Sequence, residues 1–169
     1  MKNEHITRKG TIDDADAIGR LHALSWMTAY RGLLPDAYLD GNLEEERLAH
    51  WQKKMRGLSS REFVVLSEDE KGLKGFICVI DEPFHQYTAL IDNLHVRPDL
   101  KGLGLGGLLL DLAIGELRRM NLKGVYLWVI EGNTPAEHFY RSKGGREMDT
   151  KWFELGGARI REKSYVWDW

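Results

Sequence analysis

The segment Lys101-Gly102-Leu103-Gly104-Leu105-Gly106-Gly107 runs straight into an amphipathic pattern in which Leu105, Leu108, Leu109, Leu112 and Ala113 recur at i, i+3, i+4, i+7 and i+8. Backbone N–H groups in the first turn of a helix have no intrahelical partner, and glycine lets an anion approach without Cβ interference, so this junction describes a phosphate cradle. Lys101 adds a cation and suits a pyrophosphate better than a neutral ligand. The structural alternative is a tight turn with close helix packing. Gly102, Gly104 and Gly107 also match the dinucleotide fingerprint G-x-G-x-x-G. A dinucleotide fold, however, places that loop directly after its first strand and follows it with further parallel units. Here it comes after residue 100, behind Pro98, with too little chain left for a second half, and the pattern G-x-x-x-x-G-K-[ST] is absent.

A second constellation lies at Asn133-Thr134-Pro135-Ala136-Glu137-His138-Phe139-Tyr140. Thr134 reads as an N-cap, Pro135 as the first helical position and Glu137 as the return half of a capping box, with Gly144-Gly145 ending the helix. Around these two helices the remaining elements follow from periodicity and turn chemistry. A short strand near Ile6 precedes a capping-box start at Thr11-Ile12-Asp13-Asp14 and a helix carrying Ile18, Leu21 and Leu24 towards Trp26 and Tyr30. Pro35-Asp36 restarts the chain, and Leu43 to Met55 is a charged amphipathic helix. Three strands follow at Glu62 to Leu66, Leu73 to Ile80 and Tyr87 to Val96, expected to be antiparallel. Val125 to Ile130 is apolar enough for a central strand, and Glu147 to Leu155 with Ile160 to Trp167 flank Gly156-Gly157 as a terminal hairpin. The order β-α-α-β-β-β-α-β-α-β-β is a mixed α/β (α+β) fold of about seven strands and about four helices in one domain spanning 1–169.

Composition narrows the function classes. The 169 residues, 43% hydrophobic and 30% charged, are those of a globular chain, and no apolar run approaches the ~20 residues of a membrane span. The start Met1-Lys2-Asn3-Glu4-His5 leads into no signal-like apolar stretch. A net charge of -2 offers no basic field for nucleic acid or an acidic membrane. The single cysteine, Cys78, sits in an apolar run without a histidine beside it, which reads as a buried structural thiol in a reducing, cytoplasmic setting. No histidine pair has ligand spacing, and Asp13, Asp14 and Asp16 lack the rest of a calcium loop, so no metal is indicated. Strand edges on the terminal hairpin allow a homodimer.

The two glycine-bearing motifs together resemble the Gcn5-related N-acetyltransferases (GNAT), whose [R/Q]-x-x-G-x-[G/A] motif follows a V-x-P turn. Here the chain reads Val96-Arg97-Pro98, then Lys101-Gly102-Leu103-Gly104-Leu105-Gly106, with lysine where the family has Arg or Gln. Charge is kept and planar geometry lost. Asn133 to Tyr140 is similar to the family's N-x-x-A-x-x-F-Y, and the order of elements agrees along nearly the whole chain. The resemblance implies a twisted, mostly antiparallel sheet whose strands ending near Val96 and Ile130 splay apart, with acetyl-CoA in the gap. It implies main-chain contacts at Leu94, His95 and Val96 and a diphosphate held by Lys101, Gly102, Leu103, Gly104, Leu105, Gly106 and Gly107. Asn133 would touch the pantetheine arm or orient its helix, and Tyr140 would protonate the departing sulfur.

The resemblance further implies a base or water-relay residue from the strand that carries Asp92 and His95, Asp92 being favoured, with Glu82, His85 and His138 as further candidates. Strict alternation puts residues 92 and 95 on opposite faces unless a bulge intervenes. The acceptor, a primary amine of a small molecule or peptide, would meet the segment around Trp26, Tyr30, Arg31 and Gly32 and the hairpin with Trp152 and Trp167, although packing is the commoner role of such aromatics. A non-catalytic acyl-CoA-binding regulatory domain would keep the glycine loop without needing Tyr140.

Overall fold

Alternating burial and antiparallel pairing build most of the sheet in the computed structural model, which describes residues 6–169; the Met1–His5 start lies outside the described residues. The strands are β1 (Ile6–Lys9), β2 (Phe63–Asp69), β3 (Gly72–Phe84), β4 (Tyr87–Val96), β5 (Gly124–Ile130), β6 (Arg146–Leu155) and β7 (Ala158–Asp168), in the order β1-β2-β3-β4-β5-β7-β6. Every neighbouring pair is antiparallel except β4 and β5, which are parallel. The expected β4 limits agree with those observed, whereas β3 runs on to Phe84 in a long hairpin with β4. The terminal hairpin closes on Gly156 and Gly157, both at positive φ, the two-residue geometry whose twist matches flanking strands.

Helices α1 (Ala15–Ala29), α3 (Leu43–Gly57), α4 (Leu105–Arg119) and α5 (Thr134–Ser142) are the four expected; a fifth, α2 (Asp36–Leu39), is one turn long. The expected start of α1 is a separate 3-10 turn at Ile12–Asp14, where Thr11 and Asp14 form the capping box. Pro35 is the residue that precedes α2, and Leu39 packs with Leu34, Leu43, Ile130 and Ile160 to hold that turn against the hairpin end of the sheet. Too short to show a period, α2 is fixed by these tertiary contacts. Helices α4 and α5 cover one face of the sheet. The buried row of α4 is Leu105, Leu109, Ala113 and Leu117 with Leu110, so the expected stripe is rotated: Leu108 and Leu112 sit at its flank. Helices α1 and α3 cover the other face, where Ile18, Leu21, Trp51 and Met55 meet Leu66, Phe76 and Cys78, while Leu24 points outward. Cys78 is fully buried, and burial pushes its thiol up to about 12, leaving it unreactive.

Two imidazoles are folded into this second layer. The indole of Trp51 donates to His22 Nδ1 at 2.8 Å, and the His22 ring stacks on His95 of β4 with centroids 4.5 Å apart. Burial holds both in the neutral form: it drives His22 far below the usual range and His95 down to about 3. An unfolded histidine takes up its proton near pH 6.5, so below that value the unfolded chain binds protons the fold does not. Urea unfolding should therefore show stability falling as pH drops from 6.5 to 5.5, by up to about 1.4 kcal/mol per unit for each histidine; a flat profile over that interval would contradict the buried neutral pair.

Candidate functional site

The site begins where the sheet comes apart. Strands β4 and β5 share one paired position, Leu90 with Tyr126, and beyond it the stretch from Ile91 to Val96 has no partner on the β5 side. On its other side β4 continues to pair with β3, and a register shift there leaves Asp92 as an extra residue: Cys78 faces Asn93 while Val79 faces Ile91. Such a bulge bends and twists its strand. It also resets the faces. Ala89, Ile91, Leu94 and Val96 all pack on the α4 side, while Asp92 and His95, three apart, line one cavity on the opposite side. Arg97 N donates to Lys74 O, so alternation turns the amides of Leu94 and Val96 towards the gap.

A cavity of about 540 Å³ fills this gap. One end is the start of α4. Its N-cap, Gly104, has φ +84° and Gly102 has φ +80°, and a Cβ at either would meet no neighbour, so the backbone conformation rather than crowding calls for glycine. Leu108 N donates to Gly104 O as the first bond of the helix, which leaves the amides of Leu105, Gly106 and Gly107 without helical acceptors. Lys101 lines this end, and the Lys143 ammonium comes so close to Gly107 that a Cβ there would lie 2.6 Å from Nζ. The other end is walled by Leu94, His95, Trp128, Asn133 and Tyr140.

Helix α5 places Tyr140. The expected cap is one residue off: Asn133, not Thr134, is the N-cap, its Oδ1 accepting from Ala136 N at 3.5 Å, while Glu137 Oε1 accepts from Gly132 N. Asn133 thus orients the helix and also lines the cavity. Behind Tyr140, the Trp167 ring stands edge-on at 5.9 Å and its indole donates to Lys143 O at 3.0 Å, clamping the end of α5. Burial, with the nearby Tyr30 hydroxyl, raises the Tyr140 pKa well above that of a free phenol, so the group is protonated at any working pH.

A smaller cavity of about 220 Å³ adjoins the first and shares Tyr30, Leu94, His95, Trp128 and Tyr140 with it. Here lie Asp92, whose Oδ2 accepts from Lys54 Nζ and Asn93 Nδ2, each at 2.5 Å, and Glu162 of β7. His95 Nδ1 is 2.8 Å from Ser25 Oγ of α1.

Of the site residues expected from sequence, Leu94, His95, Val96, Lys101, Gly102, Gly104, Leu105, Gly106, Gly107, Asn133 and Tyr140 line the larger cavity, and Asp92 lines the smaller. Leu103 lines neither and is 62% exposed, because the loop turns its side chain outward. Glu82, His85 and His138 also lie outside both cavities; His85 pairs instead with Asp149 at 3.5 Å. Trp26 and Tyr30 wall the smaller cavity, but Arg31 is engaged by Asp36 and Asp40, Trp152 is exposed beneath Arg159, and Trp167 supports Tyr140 from behind. The hairpin contributes Phe153, Leu155 and Glu162 in place of the expected tryptophans. Sequence reasoning also passed over Ser25, Trp128 and Lys143. For Trp128 and Glu162 a signal existed: each occupies an inward position in the alternation of its strand.

The comparisons agree with this geometry. A sequence model described as the Acetyltransferase (GNAT) family matches residues 20–144. The uncharacterized N-acetyltransferase YuaI of Bacillus subtilis (strain 168) is 27% identical over 163 residues, covering 95% of this chain and 91% of the relative. Among solved structures, the PaiA N-acetyltransferase of Thermoplasma acidophilum in complex with coenzyme A has the same fold, with a TM-score of 0.77 at 19% identity over 95% of this chain and 98% of the other. The YncA protein of Salmonella typhimurium, solved with acetyl-CoA, gives 0.70 at 18% identity over 98% and 94%. The splayed strands, the glycine-capped helix and the family match together place this chain in the GNAT family of acetyltransferases.

Proposed function

We propose that this chain, acting as a single domain, transfers an acetyl group from acetyl-CoA directly to a primary amine of a small molecule or peptide. The observation that carries the reading is the meeting of two cavities at Tyr140, one ending in unpaired amides and the other in carboxylates. The residues present fit the co-substrate. The amides of Leu105, Gly106 and Gly107, with Lys101 and Lys143, offer the donors and positive charge a diphosphate needs. The amides of Leu94 and Val96 offer a strand edge to an amide-bearing arm. When bound, the thioester supplies an activated acyl carbon and a thiol leaving group.

The chain's own residues then carry the proton and charge work. A β4 amide facing the gap donates to the carbonyl oxygen as negative charge grows there. Tyr140, protonated and at the junction, gives its proton to the sulfur as it departs. His95, neutral and hydrogen-bonded to Ser25, fixes the wall between the two cavities without taking a charge. Asp92 is already held by Lys54 and Asn93, which suits setting the charge of the acceptor side better than accepting a further proton.

Two variants test this. Tyr140→Phe should lower kcat by about 10²–10⁴-fold while calorimetry shows acetyl-CoA binding retained; undiminished turnover would remove Tyr140 from the chemistry, and absence of turnover in the parent chain would favour a binding module. Gly104→Asp should weaken coenzyme A binding by at least about 100-fold, through roughly 1–2 kcal/mol of left-handed strain and a carboxylate set against the diphosphate. Unchanged affinity in a folded Gly104→Asp protein would refute the cradle.

A further inference from the structure

The smaller cavity carries information about the acceptor that the glycine loop does not. Alternation along β7 sets Ile160, Glu162, Ser164 and Val166 on one face; three of the four are buried, and Glu162 is the charged member among them. Its side chain is 16% exposed. It pairs across to Ile130 in β5 and Lys151 in β6, and so looks onto the same wall as Trp128. Lys151 Nζ stands 3.6 Å from Glu162 Oε2 and 4.1 Å over the Trp128 ring, a looser contact than those Asp92 makes. Glu162 is therefore the carboxylate in this cavity with acceptor capacity to spare.

We propose that this cavity takes a primary amine carried on a small aryl or alkyl body that lacks a carboxylate, and that Glu162 holds its ammonium and accepts its proton; the inference rests on the acetyltransferase reading above. The walls favour such a body. Trp26, Tyr30, Trp128 and Phe153 supply aromatic surface for an apolar group and for a nearby cation. The two ammonium groups nearest the cavity, Lys54 and Lys151, are already paired with Asp92 and Glu162, and no other lysine or arginine among the described residues lines it, so a carboxylate on the acceptor would be desolvated beside two carboxylates with no free cation to pair it. At about 220 Å³ the space also falls below the about 300–1,000 Å³ typical of larger organic ligands.

The proton steps balance. Glu162 takes one proton from the ammonium, freeing the nitrogen lone pair to form the C–N bond with the thioester carbon. The C–S bond breaks with its electron pair passing to sulfur, Tyr140 protonates that sulfur, and the nitrogen's second proton returns to the Tyr140 oxygen. Glu162 then releases its proton to solvent. The groups facing Glu162 and this cavity are Lys151 from β6, Tyr30 just after α1, Asp92 and His95 from β4, and Tyr140 from α5, with Lys54 of α3 behind Asp92. Burial raises the Glu162 pKa and Lys151 works against that rise. Because Glu162 must be ionised to accept a proton, kcat/KM should climb with pH through its titration.

2-Phenylethylamine and L-phenylalanine, which differ by one carboxylate, make the test. Thiol release should give a kcat/KM at least about 100-fold higher for 2-phenylethylamine. Glu162→Gln should raise its KM at least about tenfold and abolish the rising pH limb, while Glu162→Asp keeps the limb. Acetyl-CoA affinity should stay unchanged in both, and calorimetric titration of 2-phenylethylamine into the protein without thioester should lose the same factor in Glu162→Gln. Equal rates for the two amines, or a Glu162→Gln protein with wild-type KM and pH profile, would overturn the proposal. Thiol release with L-phenylalanine in place of 2-phenylethylamine would overturn it and leave the acetyltransferase reading standing; no release with any amine would overturn both.

Discussion

Backbone polar groups in the interior of a sheet need partners, and this sheet withholds them along one seam. After the single pairing of Leu90 with Tyr126, β4 and β5 diverge, and the amides of Leu94 and Val96 face a cavity instead of a neighbouring strand. The rest of the molecule is arranged around that opening. The Asp92 bulge bends β4, α4 brings its unpaired first turn to one end, and α5 brings a buried phenol to the other. A ligand with an extended amide-bearing arm and an anionic tail meets the donors the fold leaves unpaired.

Electrostatics divide the opening into two regions. At the α4 end, N–H dipoles and the ammonium groups of Lys101 and Lys143 make a positive environment. On the α1 side, Asp92 and Glu162 line an aromatic chamber, each backed by a lysine, Lys54 and Lys151 respectively. Between them sit groups held neutral by burial, His95 and Tyr140. The proposed anionic co-substrate and cationic acceptor would thus meet different ends of one space, separated by an uncharged partition.

Much of the larger cavity was legible in the sequence because it depends on local pattern: four closely spaced glycines at the start of a helical stripe, and an asparagine just past a strand, followed seven positions later by a tyrosine on the next helix. The smaller cavity was less legible because it depends on pairing. Whether Asp92 and His95 share a face is decided by a bulge, visible only once β3 is set beside β4. Trp152 and Trp167 drew attention by residue type, yet the sheet turns one outward and puts the other behind Tyr140, while Glu162, a plain charged residue in a strand, is brought inward. Helix α2 escaped notice since a single turn has no period, and it is held by tertiary contacts such as those of Leu39 with Leu34, Leu43 and Ile160.

That short helix also bears on the hairpin. Tyr38 of α2 sits so close to Gly156 that a Cβ there would fall 2.5 Å from its ring, which anchors the tip of the β6–β7 ribbon. Below the tip the ribbon carries Phe153, Leu155 and Glu162 into the smaller cavity, and none of them borders the cradle at α4. On the proposed reading the ribbon is an exchangeable faceplate: new side chains at alternate positions would redefine which molecule is acetylated while the donor grip stays untouched.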